Sequence, residues 1–159
     1  MKSPNPFQTR HLVGRVPSEA DTALYDRVYG GLGARELQRN LQDAARHGVA
    51  PWTLQVGGRD VGVGGFCLGF GADEGIELML ALVPDVPQVG LAGEFLTDAI
   101  LFGEGTLRAD RVFAFADSET TLSMRMLHDA GFHDAGPAPV PGRPDRRIMR
   151  WTSASLRRA

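Results

Sequence analysis

The sequence predicts a single α/β domain, a mixed central sheet of about seven strands flanked by four helices. Three observations lead there. Segments with strand-like apolar alternation exchange places along the chain with segments whose apolar residues recur every three or four positions. Twenty glycines and ten prolines punctuate them and keep each element short. With 159 residues, 43% hydrophobic and 23% charged, the chain is sized for one sizeable core.

The elements follow in order. Residues 10–16, RHLVGRV, are strand-like and stop at Pro17. Ser18 with Asp21 three positions on forms a capping-box start, and Leu24 and Val28 share one face of the helix that follows. Gly30, Gly31 and Gly33 interrupt it. A second helix places Leu37, Leu41 and Ala44 or Ala45 on one side and stops at Gly48. Trp52, Leu54 and Val56 alternate, Gly57-Gly58 turns, and Val61 and Val63 resume the alternation, which is a hairpin. GIELMLALVP is a long apolar strand ended by Pro84. A helix then carries Leu91, Phe95, Ala99 and Phe102 on one face, with Gly103 and Gly105 closing it. RVFAFAD, 111–117, is a buried strand. A helix over TTLSMRMLHDAGF has a threonine N-cap and Gly131 just past its end, where Phe132 can add an apolar contact. RRIMRWT, after a proline-rich loop at 136–144, reads as an edge strand. The predicted order is β-α-α-β-β-β-α-β-α-β-β, with no repeat and no linker.

Composition narrows the function classes. A formal net charge of −2 argues against nucleic acid or an acidic membrane as the main partner. No apolar run approaches the ~20 residues that span a bilayer. The opening MKSPNPFQTR lacks the apolar core of a secretory signal, and one cysteine allows no internal disulfide, so a cytoplasmic protein is expected. Cys67 alternates with Phe66 and Leu68 and lacks a basic partner, which favours packing over nucleophilic chemistry. His11, His47, His128 and His133 do not show metal-ligand spacing, so no metal is expected. Asp73, Glu74 and Glu77 form an acidic patch suited either to a cationic amine or to solvent.

The stretch VPQVGLAGEFLTDAIL bears most on function. A helix starting at 90–93 exposes backbone N–H groups without internal acceptors, and its dipole favours an anion there. Gly90 and Gly93 clear side chains from the approach, and Ala92 is nearly as small. The same residues suit a plain strand-to-helix corner. Neither a Walker loop nor a dinucleotide fingerprint fits, because no Gly-Lys-Ser/Thr follows and two helices and a hairpin precede the strand.

From IELMLALVPDVPQVGLAGEFL through AFADSETTLSMRMLHDAGF the chain resembles the GNAT superfamily of acetyl-CoA-dependent N-acetyltransferases, in particular its RimJ/RimL-like branch. Glu77, Leu82, Pro84, Gly90, Ala92 and Glu94 fall on the family's strand-and-loop pattern. Ser123, Met126, Leu127, Ala130, Gly131 and Phe132 fall on its second block, and Trp52, Gly57-Gly58 and Gly62 on a third. Element order agrees from about residue 8 to 152. The resemblance implies acetyl-CoA as acyl donor, transfer to a primary amine of a small molecule or a peptide N-terminus, and homodimers in many relatives. It implies pantetheine pairing near Leu82 and Val83, and pyrophosphate on the N–H groups of Gln88, Val89, Gly90, Leu91, Ala92 and Gly93. Thr120 stands where the family has a cofactor-contacting asparagine. Glu77 would be the base and Ser123 the acid that protonates the leaving thiolate. Pro87 and Gln88 replace the residues usual at the start of the loop, and Met79-Leu80 a Gly-Tyr pair. These departures keep open the alternative of a GNAT-fold module that binds CoA with little or no turnover.

Overall fold

The structure is a computed structural model and describes residues 6–68 and 75–158. Its eight strands form one sheet in the order β1-β2-β3-β4-β5-β6-β8-β7. They are β1 (Phe7–Gln8), β2 (Val13–Arg15), β3 (Trp52–Val56), β4 (Arg59–Cys67), β5 (Ile76–Leu82), β6 (Arg111–Ala116), β7 (His133–Pro137) and β8 (Arg147–Thr152). Four helices flank the sheet: α1 (Thr22–Tyr29), α2 (Gly33–His47), α3 (Gln88–Gly105) and α4 (Met124–Asp129). A last turn of helix, α5 (Ala154–Arg157), ends the described chain.

The predicted class and order hold, with differences of detail. The eighth strand is β1, which pairs Phe7 with Gly14 of β2. It is too short for alternation to reveal, yet it seats Phe7 flat on Trp52, ring centroids 4.2 Å apart. β8, read as an edge, lies inside the sheet between β6 and β7. The edge is instead β7, whose Gly136 and Pro137 suit a strand with one side unpaired. The Gly57-Gly58 turn has φ of +57° and +80° and joins Val56 directly to Arg59, as the hairpin reading required. Ser18 accepts from Ala20 N–H while Asp21 accepts from Ser18 N–H, the anticipated capping box.

Two layers cover the sheet. α3 and α4 close one face over a core that includes Trp52, Leu78, Leu80, Phe95, Ala99, Val112, Ala114, Leu127 and Trp151. α1 and α2 cover the other face with a smaller cluster of Leu24, Tyr25, Leu37, Val63 and Val83. Because side chains alternate across a strand, Leu78, Leu80 and Leu82 point to α3, whereas Glu77, Met79 and Val83 point to the α1–α2 side. Asn40 Nδ2 donates to Tyr25 Oη at 2.8 Å and ties α2 to α1 beneath that face.

Candidate active site

The sheet opens at its centre. β4 and β5 pair over six residues, from Gly62↔Leu82 to Cys67↔Glu77, but β5 and β6 pair only at Ile76↔Val112 and Glu77↔Phe113. Beyond those two rungs the parallel strands splay. β6 pairs with β8 over six residues, three of them (Ala114, Phe115 and Ala116) beyond the rungs with β5, and buried Leu122 from the β6–α4 loop enters the main core. The splay leaves one edge of β5 without a strand partner. Val83 N–H donates to Val61 O at 2.8 Å, so by alternation Leu82 N–H points into the opening. There it donates to Thr121 Oγ1 at a long 3.3 Å. Of the two residues expected to pair with pantetheine, Leu82 faces the gap. Val83 is fully buried, and its carbonyl accepts from the Gln88 side chain at 2.8 Å.

α3 begins at the mouth of this gap, two residues earlier than the glycine spacing suggested. Pro87 occupies the N-cap with extended φ/ψ, and no side chain caps the helix. The N–H groups without intrahelical acceptors are therefore those of Gln88, Val89 and Gly90. Those of Leu91, Ala92 and Gly93 are spent inside the helix, and Ala92 is buried in the core. Of the six N–H groups expected at a pyrophosphate, Gln88, Val89 and Gly90 are the three without an intrahelical acceptor. A Cβ placed on Gly90 or Gly93 meets nothing within 4 Å, so the approach to the helix start is open. The Gln88 side chain does not obstruct it, because its amide folds back to Val83 O and Val86 O. From outside, Arg27 and Arg59 both pair with Asp85 and brace the same loop.

The start of α4 is built differently. Ser123, not a threonine, is the N-cap, and its Oγ accepts from Met126 N–H at 3.1 Å. That bond leaves the hydroxyl proton free to donate. Thr120 holds the preceding turn: its Oγ1 accepts from Asp117 N–H and bonds the carbonyl of Leu122 at 2.9 Å. The far end of α4 is as predicted. Gly131 takes φ of +100°, Phe132 N–H reaches Leu127 O at 2.9 Å, and the Phe132 ring is buried.

Glu77 lies at the root of the splay on the α1–α2 face, in register with Cys67 on one side and Phe113 on the other. Burial pushes its carboxyl above the usual 4.5, only partly opposed by the positive charges of Arg146 and Arg39. Burial also raises the Cys67 thiol, which stays protonated and packs as expected. Asp73 and Glu74 of the anticipated acidic patch lie outside the described residues. Among the described residues no group of three or more His, Cys, Asp or Glu is placed to hold a metal, and no helix is long and apolar enough to cross a membrane.

Sequence reasoning missed Thr121 and Arg146. Thr121 sits beside Thr120 without a motif of its own, and Arg146 is hidden in the run RRIMR and its arginine-rich flank.

No protein-family model matches the chain, and no curated protein matches its sequence. Solved structures do. A protein assigned to the GnaT family of acetyltransferases, from Bordetella pertussis, superposes with a TM-score of 0.79 over 94% of this chain and 100% of its own, at 17% identity. This is the GNAT fold. A ribosomal-protein-S5-alanine acetyltransferase from Vibrio fischeri has the same fold, with a TM-score of 0.72 over 95% of this chain and 98% of its own at 14% identity. A spermidine N-acetyltransferase chimera from Vibrio cholerae and hSSAT matches at 0.72 over 94% and 99%, with 10% identity. At these identities the likeness is one of fold, and the chemistry has to be argued from this chain's own residues.

Proposed function

We propose that the protein is an acetyl-CoA-dependent N-acetyltransferase, of the RimJ/RimL-like kind, that acetylates a primary amine by direct attack in a ternary complex. The observation that carries this is the pairing of a splayed β5 edge with an uncapped, open start of α3. The fit to the cofactor rests on that geometry. The free edge of β5 suits an amide-bearing arm that adds as a strand would, and three unpartnered N–H groups suit a pyrophosphate without any lysine. Ribosomal-protein and spermidine acetyltransferases among the structural neighbours act on amines, which is consistent with a primary amine here.

When bound, acetyl-CoA supplies a thioester whose carbonyl carbon takes the amine as the carbon–sulfur bond breaks. Glu77 accepts the proton that the substrate ammonium must lose, and its raised pKa brings it closer to a working base. Ser123, whose hydroxyl proton is not used by the cap, would supply a proton to the leaving thiolate and be reprotonated from solvent. Leu82 N–H, which faces the gap, would be the strand donor available to the developing carbonyl charge, and its long bond to Thr121 would have to yield. That same bond favours the alternative, a CoA-binding module without turnover, in which Thr121 keeps the donor. Calorimetry with acetyl-CoA, with free CoA and ATP as controls, tests the cofactor site: micromolar binding with weak ATP supports it, and no binding overturns it. Thioester consumption with an amine panel then separates transferase from module.

A further inference from the structure

Among the described residues, the α1–α2 face of the splay carries a cation without an ion-pair partner, its charge felt at Glu77 but not in contact with it. Arg146 lies just before β8 with its guanidinium carbon 4.2 Å from the centre of the Phe115 ring. Its Nε is buried and has no hydrogen-bond partner. Among the described residues no carboxylate stands within ion-pair distance of it. Its neighbours differ: Arg143 pairs with Asp117 at 2.9 Å and Arg147 with Asp134 at 2.7 Å. On the facing helix, Arg39 is already paired with Glu36 at 2.6 Å. Phe115, on the same face of β6 as Phe113, is half-buried. A buried guanidinium N–H that sits over an aromatic ring and has no hydrogen-bond partner is costly unless a ligand completes it. A guanidinium in this state selects a planar anion, because its parallel N–H groups match the two oxygens of a carboxylate. Glu77 faces the same side of the sheet, so a base for the amine and a cation for an acid stand on one face of it.

We propose that the acetyl acceptor is an amine that also bears a carboxylate, which Arg146 holds while Glu77 receives the ammonium proton; this rests on the acetyltransferase assignment above. Two sources carry that chemistry, a small amino acid and a peptide N-terminus followed by an acidic side chain.

The test is steady-state acetylation of amino carboxylates of increasing chain length, each against the equally long amine without its carboxylate. A second arm compares short peptides with an acidic or a neutral second residue. The expected result is a preference in kcat/KM of at least about tenfold for the acid-bearing member in one arm, the scale of a single charge-assisted hydrogen bond. Arg146→Gln, which removes the charge and keeps a planar polar group, should abolish the preference for the acid-bearing substrate over the plain amine through a raised KM, while acetyl-CoA affinity stays intact. Arg146→Lys should restore part of the preference. Equal turnover of acid-bearing and plain amines in both arms overturns the proposal while leaving the transferase standing. Loss of acetyl-CoA affinity in Arg146→Gln also overturns it, because the residue would then act through the fold. Absence of both acetyl-CoA binding and turnover in the native protein overturns the transferase assignment and this proposal with it.

Discussion

The two faces of the splayed sheet are built differently. On the α3–α4 face the larger core packs tightly, and what the opening meets there is mostly backbone: the N–H groups of Gln88, Val89 and Gly90, with Leu82 N–H in the gap between the strands. On the α1–α2 face the buried cluster has only five members, Phe115 and Ile148 stay half-covered, and the opening meets charged side chains, Glu77 and Arg146. Backbone recognition tolerates sequence change so long as the helix start keeps its place and stays clear. Side-chain recognition does not, since one substitution removes a charge. A common cofactor suits the first face, and a particular acceptor suits the second.

The sharpest way to break this division is at Glu77. Glu77→Gln should lower turnover by about 10²–10⁴ while acetyl-CoA affinity measured by calorimetry stays level. With Glu77 present, activity should rise with pH through a midpoint above the usual 4.5, because the base must be ionised and burial holds it protonated longer. The glutamine variant should lose that acidic limb, and an unchanged profile would remove Glu77 from the reaction.

Gly90→Asp probes the opposite face. The added side chain enters open space without backbone strain, and a carboxylate in the first turn of a helix stabilises it by ~0.3–1 kcal/mol. The melting temperature should hold or rise while acetyl-CoA affinity falls by about 100-fold, close to 2.7 kcal/mol. Affinity unchanged by the new charge would mean that no anion binds at the start of α3.

Ser123 stands between the faces, with a capping role and a proposed acid role that different variants separate. Ser123→Ala should cost ~1 kcal/mol of stability through the lost cap and reduce turnover. Ser123→Asp keeps a capping oxygen but presents an anion to the departing sulfur, so it should melt near the native temperature yet stay slow. If Ser123→Asp recovers both, Ser123 is a cap alone.

The smallest effect is expected one helical turn beyond Gly90, at Glu94, which lines the same cavity. Burial pushes its carboxyl up, but hydrogen bonds from the Thr9 hydroxyl, the His11 ring and the His11 backbone N–H outweigh this and hold it at about 2. A folded-state pKa below the unfolded 4.5 adds stability that is present above pH 4.5 and lost as the pH falls toward 2. Glu94→Gln should therefore melt a few degrees lower at neutral pH, with the gap closing across that window.

Much of the fold was legible because it rests on local chemistry. The Gly57-Gly58 turn, the Ser18–Asp21 capping box, Gly131 after α4 and the apolar faces of the helices each follow from residue type and spacing. So does the opening near Gly90, since small residues after an apolar strand leave few conformations for the chain. Helix starts were less legible. An N-cap depends on which oxygen wins the competition for the first N–H groups, and that is how Ser123 replaced a threonine and Pro87 moved the start of α3. Residue spacing likewise made β8 resemble an edge, because its arginines read as solvated until β7 covers it. Tertiary structure alone decided the site. Nothing in IELMLAL or RVFAFAD says that β5 and β6 part after two rungs, which takes a loop from one strand filling the space beside the other. Nothing in RPDRRIMR separates Arg146 from Arg143 and Arg147 either, since pairing is settled by which carboxylates the fold brings within reach. The sequence determined which groups could carry chemistry, and the fold determined which were left unpartnered to do it.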